Sequence, residues 1–197
     1  MLRWFPCPIP LVAAVLLAAS LFCAVARADE PAGVSASPER RTPGAWSVEA
    51  DPLPFVAGGY SVAAGWQTAH VRLSANAFAA NLPSFSVQEG WTGRVRAAGA
   101  LRLQLYPDAR DRGLFGAVQL GPVASRFTSS TGAVADAYQL VVTPSIGYRW
   151  FPWDGRLGLY LMPAAGVGLA LATWSEGVPY SAPRVTAQAA LHVGWEL

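Results

Sequence analysis

The chain ends R-V-T-A-Q-A-A-L-H-V-G-W-E-L, and this closing run alternates between two kinds of side chain. Val185, Ala187, Ala189, Leu191, Val193, Trp195 and Leu197 share one parity, while Arg184, Thr186, Gln188, His192 and Glu196 share the other. A strand is the only regular structure with a period of two, so the segment has one apolar and one polar face up to its last residue. No helix satisfies that pattern.

The other end of the chain states an address. Arg3 precedes an apolar stretch from Ile9 to Val25 that closes on Ala26-Arg27-Ala28, the pattern of a secretory signal peptide with an A-x-A cleavage site. Residues 1–28 are therefore expected to be removed. Cys23 follows a bulky Phe22 where lipidation needs a small residue, so a lipid anchor is not expected. Both cysteines, Cys7 and Cys23, leave with the signal, and the mature chain has no disulfide, thiol nucleophile or thiolate metal site,. Arg3 and Arg27 leave too, so 12 of the 14 basic residues remain against 12 acidic ones, and none of them is lysine. A neutral chain lacks the basic footprint of nucleic-acid binding.

Residues 29–43, D-E-P-A-G-V-S-A-S-P-E-R-R-T-P, carry three prolines and no apolar period, which reads as a disordered periplasmic leader. From residue 44 to 197 the composition is Gly, Ala, aromatics and alternating aliphatics, as expected of one domain,.

Eight strands are expected there: Gly44 to Ala50, Gly58 to Gln67, His70 to Ala79, Trp91 to Tyr106, Gly113 to Phe127, Ala137 to Phe151, Arg156 to Ala172 and Arg184 to Leu197. The connections alternate, with long loops at Asn81 to Gly90, Thr128 to Asp136 and Thr173 to Pro183 and short ones between, including the turn Pro152-Trp153-Asp154-Gly155,. Many of the strands are long enough to cross a bilayer at a tilt, which takes about 9 to 11 residues. Even strand number and alternating loops predict an all-β, eight-stranded, antiparallel up-and-down transmembrane barrel with both termini in the periplasm.

Parity sorts the side chains. Tyr138, Tyr148 and Trp150 bracket the apolar face of the sixth strand, and with Trp46, Trp66 and Trp195 they form the expected aromatic girdles,. The opposite parity supplies the expected lumen set: Glu49, Asp51, Arg72, Arg94, Arg96, Arg102, Gln104, Arg149, Arg184, His192 and Glu196, with Arg156. Arginine at mid-bilayer on the outer wall costs about 2 to 4 kcal/mol, which directs these residues inward. Glu49 and Glu196, on strands that meet at closure, are expected to join arginines in a network that plugs the lumen, because unpaired buried charge is costly. Arg126 falls on the outward parity at the extracellular end, within reach of lipopolysaccharide phosphates. Pro144 and Pro163 interrupt strands and call for local bulges. Two rival structures compete: one transmembrane helix over Leu157 to Trp174, opposed by its glycines and Pro163, and a soluble sandwich or lipocalin-like barrel.

These features together resemble the small eight-stranded outer-membrane barrels of the OmpX/OmpA kind. The resemblance covers Trp46 to Leu197 and rests on strand count, loop order, girdles and the apolar closing strand. It implies an outer-membrane location in a Gram-negative bacterium and partners in membrane lipid, lipopolysaccharide and the barrel-insertion machinery. Such proteins usually end in Phe, where this chain has Leu197.

Function is then a matter of lumen and loops. Eight strands leave an interior that side chains fill, so the leading expectation is a monomeric structural or surface-interaction barrel. Neither cofactor, metal ligand set nor catalytic residue is expected. Three alternatives stay open. The arginines suit a narrow anion path. A lipid A-modifying enzyme would have to use His70 or His192, yet both are expected near the periplasmic rim, and His192 lies roughly 13 Å along the strand from Glu196. A soluble periplasmic barrel would carry a ligand. Surface binding would use the long loops, which hold Phe85, Trp174 and Tyr180.

Overall fold

The computed structural model describes residues 44–107, 112–152 and 158–197. The expected signal peptide, the leader, the Asp154-Gly155 turn and Arg156 lie outside the described residues. Eight antiparallel strands close into a barrel in sequence order: β1 (Ala45–Ala50), β2 (Tyr60–Gln67), β3 (Val71–Leu82), β4 (Trp91–Leu105), β5 (Gly113–Ser129), β6 (Val134–Arg149), β7 (Leu159–Gly177) and β8 (Val185–Glu196). β1 meets β8 through pairs that include Val48↔Trp195 and Glu49↔Gly194. Closure leaves no unpaired edge. Among the described residues no helix is long and apolar enough to cross a membrane, and the segment weighed as a helix is β7.

The rim that holds the start of β1 and the end of β8 also carries the connection 68–70, the ends of β4 and β6 and the starts of β5 and β7, and is here the terminal rim. The far rim carries 51–59, 83–90, 130–133 and 178–184. Two far-rim loops are shorter than the sequence suggests. Thr128 pairs with Val134 and Phe127 with Ala135, so β5 and β6 run on to a tight turn in which Gly132 takes φ +85° and the Ser129 hydroxyl accepts from the Ala133 amide at 2.9 Å. β7 likewise continues to Gly177, still paired with β6. The Ser/Thr/Gly composition looks like loop, but cross-strand pairing decides. Alternation of connection length is correspondingly weaker than expected. The first connection holds a short helix, α1 (Pro52–Val56), whose N-cap Asp51 accepts from the Leu53 amide at 2.9 Å,.

One irregularity governs the site. In β4 the register with β5 shifts between Val95↔Ser125 and Ala97↔Ala124, and the register with β3 shifts at the same place. One extra residue, Arg96, is thereby inserted into β4 and reverses its inside–outside parity. Below the bulge Arg102 and Gln104 are buried; above it Val95 is buried and Arg94 and Arg96 are exposed. The strict alternation that placed Arg94 and Arg96 in the lumen fails at this point. The prolines do not cause bulges as expected. The β6–β7 pairs skip Pro144 between Val142↔Leu169 and Ser145↔Gly166 without a change of register, and the bulge of that ladder lies at Leu140/Val141.

Burial is inverted relative to a water-soluble domain. Arg72, Arg149 and Gln104 are among the most completely buried side chains, whereas Trp46, Leu101, Leu103 and Trp195 are exposed on the outer wall. An apolar exterior around a polar interior is the partition expected in hydrocarbon.

Candidate functional site

The lumen near the terminal rim is organised around Glu49. Its Oε1 lies 2.6 Å from Arg72 Nη2 and accepts from the Tyr160 hydroxyl at 2.7 Å, while Oε2 accepts from Arg102 Nη2 at 2.6 Å. Each arginine is fixed by further acceptors. Arg72 donates to Gln104 Oε1 at 2.6 Å and Ser47 Oγ at 2.7 Å, and Arg102 Nε donates to Ser74 Oγ at 3.2 Å. Arg102 Nη1 is 2.7 Å from His192 Nε2. A guanidinium can only donate, so Nε2 accepts and the imidazole proton sits on Nδ1, which faces Glu49 Oε2 at 3.9 Å,. Five strands thus converge on one carboxylate.

A second set closes the terminal rim. Arg149 donates to Gln67 Oε1 at 2.5 Å and to Glu196 Oε1 at 2.9 Å. Its guanidinium also lies 3.8 Å from the Tyr160 ring centroid and 5.0 Å from that of Phe151, a cation–π stack that holds the charge over aromatic faces. Tyr106, Phe115, Met162 and Phe151 pack around Tyr160. The barrel is narrow enough that large side chains need glycine opposite them. A Cβ on Gly65 would collide with the Arg72 guanidinium, one on Gly194 with the Tyr160 ring, and one on Gly147 with the Phe115 ring.

The far half of the lumen is different. Asn76 of β3 donates to Gln119 of β5 at 3.0 Å over the intervening β4, and above this the connection 178–184 folds inward. Tyr180 stacks on Phe127 with ring centroids 4.0 Å apart and leans on Trp91 at 4.9 Å, with Leu82, Val87 and Ala182 around them. Tyr180, expected on a solvated loop, is a buried cap residue.

The expected lumen set therefore divides. Glu49, Arg72, Arg102, Gln104 and His192 form one network, and Arg149 with Glu196 another. Asp51 is buried as the cap of α1, outside both. Arg94 and Arg96 are exposed above the bulge and are not in the lumen, and Arg184 is exposed just before β8 and joins neither network. Parity puts Tyr160 inside, but nothing in the sequence marks it as the hydroxyl donor to Glu49, because that contact joins strands 111 residues apart. Ser47, Ser74 and Gln67 carry a weaker signal: they are polar residues on the inward parity.

The girdle residues Trp46, Trp66, Tyr138, Tyr148, Trp150 and Trp195 are all exposed on the outer wall. Trp46 pairs with Trp66 near the terminal rim and Tyr138 with Trp174 near the far one. Trp174, read as a loop residue, belongs to the upper row. Tyr138 to Tyr148 spans about 33 Å of strand, or about 25 Å along the axis at a tilt near 40°, matching the apolar band of membrane barrels.

No family model and no curated protein sequence matches the chain. Among solved structures it is similar to a major outer membrane protein from Thermus thermophilus, with 11% identity over 79% of this chain and 100% of that one and a TM-score of 0.54. Neisserial surface protein A is a weaker neighbour, with 9% identity over 78% of this chain and 94% of that one and a TM-score of 0.37. The fold is that of a small eight-stranded outer-membrane β-barrel.

Proposed function

We propose that the chain is a monomeric integral protein of the bacterial outer membrane, a non-conducting and non-catalytic barrel with a structural or surface-interaction role and both termini in the periplasm. The observation that carries this reading is the inverted partition: guanidinium groups at zero or near-zero exposure inside, tryptophan and leucine exposed outside. A water-soluble ligand-binding barrel has no reason to expose paired aromatic rows, and its interior would not be occupied by ion pairs. The filled lumen supports a barrel without a pore. Closure removes the strand edges through which copies would pair, and β8 with its apolar face offers the closing strand that the barrel-insertion machinery would receive.

A catalytic role draws no support from the histidines. His192 accepts from Arg102, and His70 Nδ1 is 3.1 Å from the Tyr106 carbonyl. Both stand in the terminal half, away from the rim at which an outer-leaflet lipid would be reached.

The test is reconstitution. Protein extracted in detergent should run faster unboiled than boiled on a gel, float with lipid vesicles, and give no discrete current steps in planar bilayers. Steady anion-selective steps would favour the channel instead, and a soluble protein without a mobility shift would remove the membrane reading altogether.

A further inference from the structure

The bulge at Arg96 creates a feature on the outer wall that the lumen does not explain. Above it, a single register row crosses the exterior as Asn81 (β3), Arg94 (β4), Arg126 (β5), Asp136 (β6) and Glu176 (β7), each paired with the next. Arg94 and Arg126 therefore stand directly opposite each other on one face, a like-charge pair that destabilises a sheet unless an anion compensates it. The protein supplies only part of that compensation. Arg126 donates to both Asp136 oxygens at 2.8 Å, Arg96 lies 3.8 Å from the same carboxylate, and Arg94 makes no ion pair among the described residues. Two guanidinium groups share one carboxylate while the third, Arg94, has none, and Glu176, at the far end of the row, makes no ion pair with them among the described residues.

Position identifies the missing anion. The row lies two residues beyond Tyr138↔Trp174, the upper aromatic pair. On β6 that is about 7 Å along the strand, and rather less along the axis, which puts Asp136, and the Arg126 and Arg96 guanidinium groups that meet it, near the upper edge of the hydrocarbon,. Arg94, Arg96 and Arg126 line an open recess of about 740 Å³ together with Asn81, Thr92 and Thr128. Guanidinium forks and hydroxyls around an open recess match the geometry of phosphate oxygens.

We propose that this recess binds a phosphate group of the outer-leaflet glycolipid headgroup, with Arg94 and Arg96 as its principal donors and Arg126 held in place by Asp136. The assignment rests on the membrane reading above and adds a specific lipid site to it. Bound phosphate neutralises the Arg94/Arg126 opposition, which is why the row is tolerated on an otherwise apolar wall.

The experiment titrates the folded, detergent-extracted protein with diphosphorylated lipid A, with lipid A lacking one phosphate, and with inorganic phosphate, and reads bound lipid by native mass spectrometry. Diphosphorylated lipid A should bind the wild type best, and Arg94→Gln/Arg96→Gln should weaken it at least about tenfold, the size expected for lost charge-assisted hydrogen bonds. Arg184→Gln, which removes one charge near the same rim outside the row, should leave binding unchanged. Equal binding to both lipid forms, or equal loss in Arg184→Gln, would overturn the proposal. Inorganic phosphate competing at the same concentration as the lipid would assign the site to free anion and overturn the lipid assignment. The mobility shift on boiling, read on the same samples, separates the two readings: loss of binding with the shift intact sinks only the lipid site, whereas a wild type without the shift sinks the membrane barrel.

Discussion

Arg72, Arg102 and Arg149 point into the barrel, while Arg94, Arg96 and Arg126 point out of it, and the two trios live by different rules. Inside, the carboxylates of Glu49 and Glu196, the amides of Gln67 and Gln104 and the hydroxyls of Ser47 and Ser74 all accept from guanidinium groups that are nearly or wholly removed from solvent. Outside, Arg96 and Arg126 share the single carboxylate of Asp136, Arg94 makes no ion pair among the described residues, and all three remain exposed. Burial makes the inner set costly to disturb, because each ion left unpaired loses several kcal/mol of hydration without recompense. The outer set is screened and adaptable, fit for recognition and of little consequence for stability. One inserted residue in β4 separates the two regimes.

The comparison breaks most severely at Glu49. Glu49→Gln leaves Arg72 and Arg102 buried without their shared carboxylate, and should lower the stability of the folded barrel by about 3 to 5 kcal/mol, read as a lower urea midpoint for loss of the gel-shifted form. Combining it with Arg72→Met and Arg102→Met should recover much of that loss, since a well-packed apolar substitute removes the unpaired charge. If the single variant were as stable as the wild type, the inner network would contribute nothing.

Gly194→Ala strikes the same network through shape. The new methyl would run into the Tyr160 ring and push its hydroxyl off Glu49, at a cost of about 1 to 3 kcal/mol from overpacking. Fluorine-labelled tyrosine at 160 should shift its resonance accordingly. Tyr180→Ala removes the stacked cap over Phe127 and should cost about 1 kcal/mol, with its main effect on faster proteolysis of the connection 178–184. Smallest of all, Arg126→Gln should leave the urea midpoint unchanged while altering the outer charge row alone.

Much of this was legible from residue order. The period of two gave eight strands and correctly sorted Glu49, Arg72, Arg102, Gln104 and His192 from Leu101, Leu103 and Trp195, because burial on one face leaves a regular trace. Three things were not. Alternation carries no mark of an inserted residue: Gly93 to Ala98 reads equally well with either parity at its upper end, and only pairing with β3 and β5 reveals that Arg96 is extra. Ser and Thr in 128–136 look like loop until Thr128 finds Val134. The partners of Glu49 come from β3, β4, β7 and β8, and closure of the barrel, rather than any local spacing, brings Tyr160 to it.

The measurement that bears most directly on this division is thiol labelling along β4. With Cys7 and Cys23 changed to serine, single cysteines at 94, 95 and 96 in the vesicle-inserted barrel would be treated with a membrane-impermeant maleimide. Arg94→Cys and Arg96→Cys should react quickly and Val95→Cys slowly, since position 95 faces the packed interior. Fast reaction at 95 with protection at 94 and 96 would mean that β4 alternates without the bulge, that all its arginines enter the lumen, and that the outer charge row does not exist.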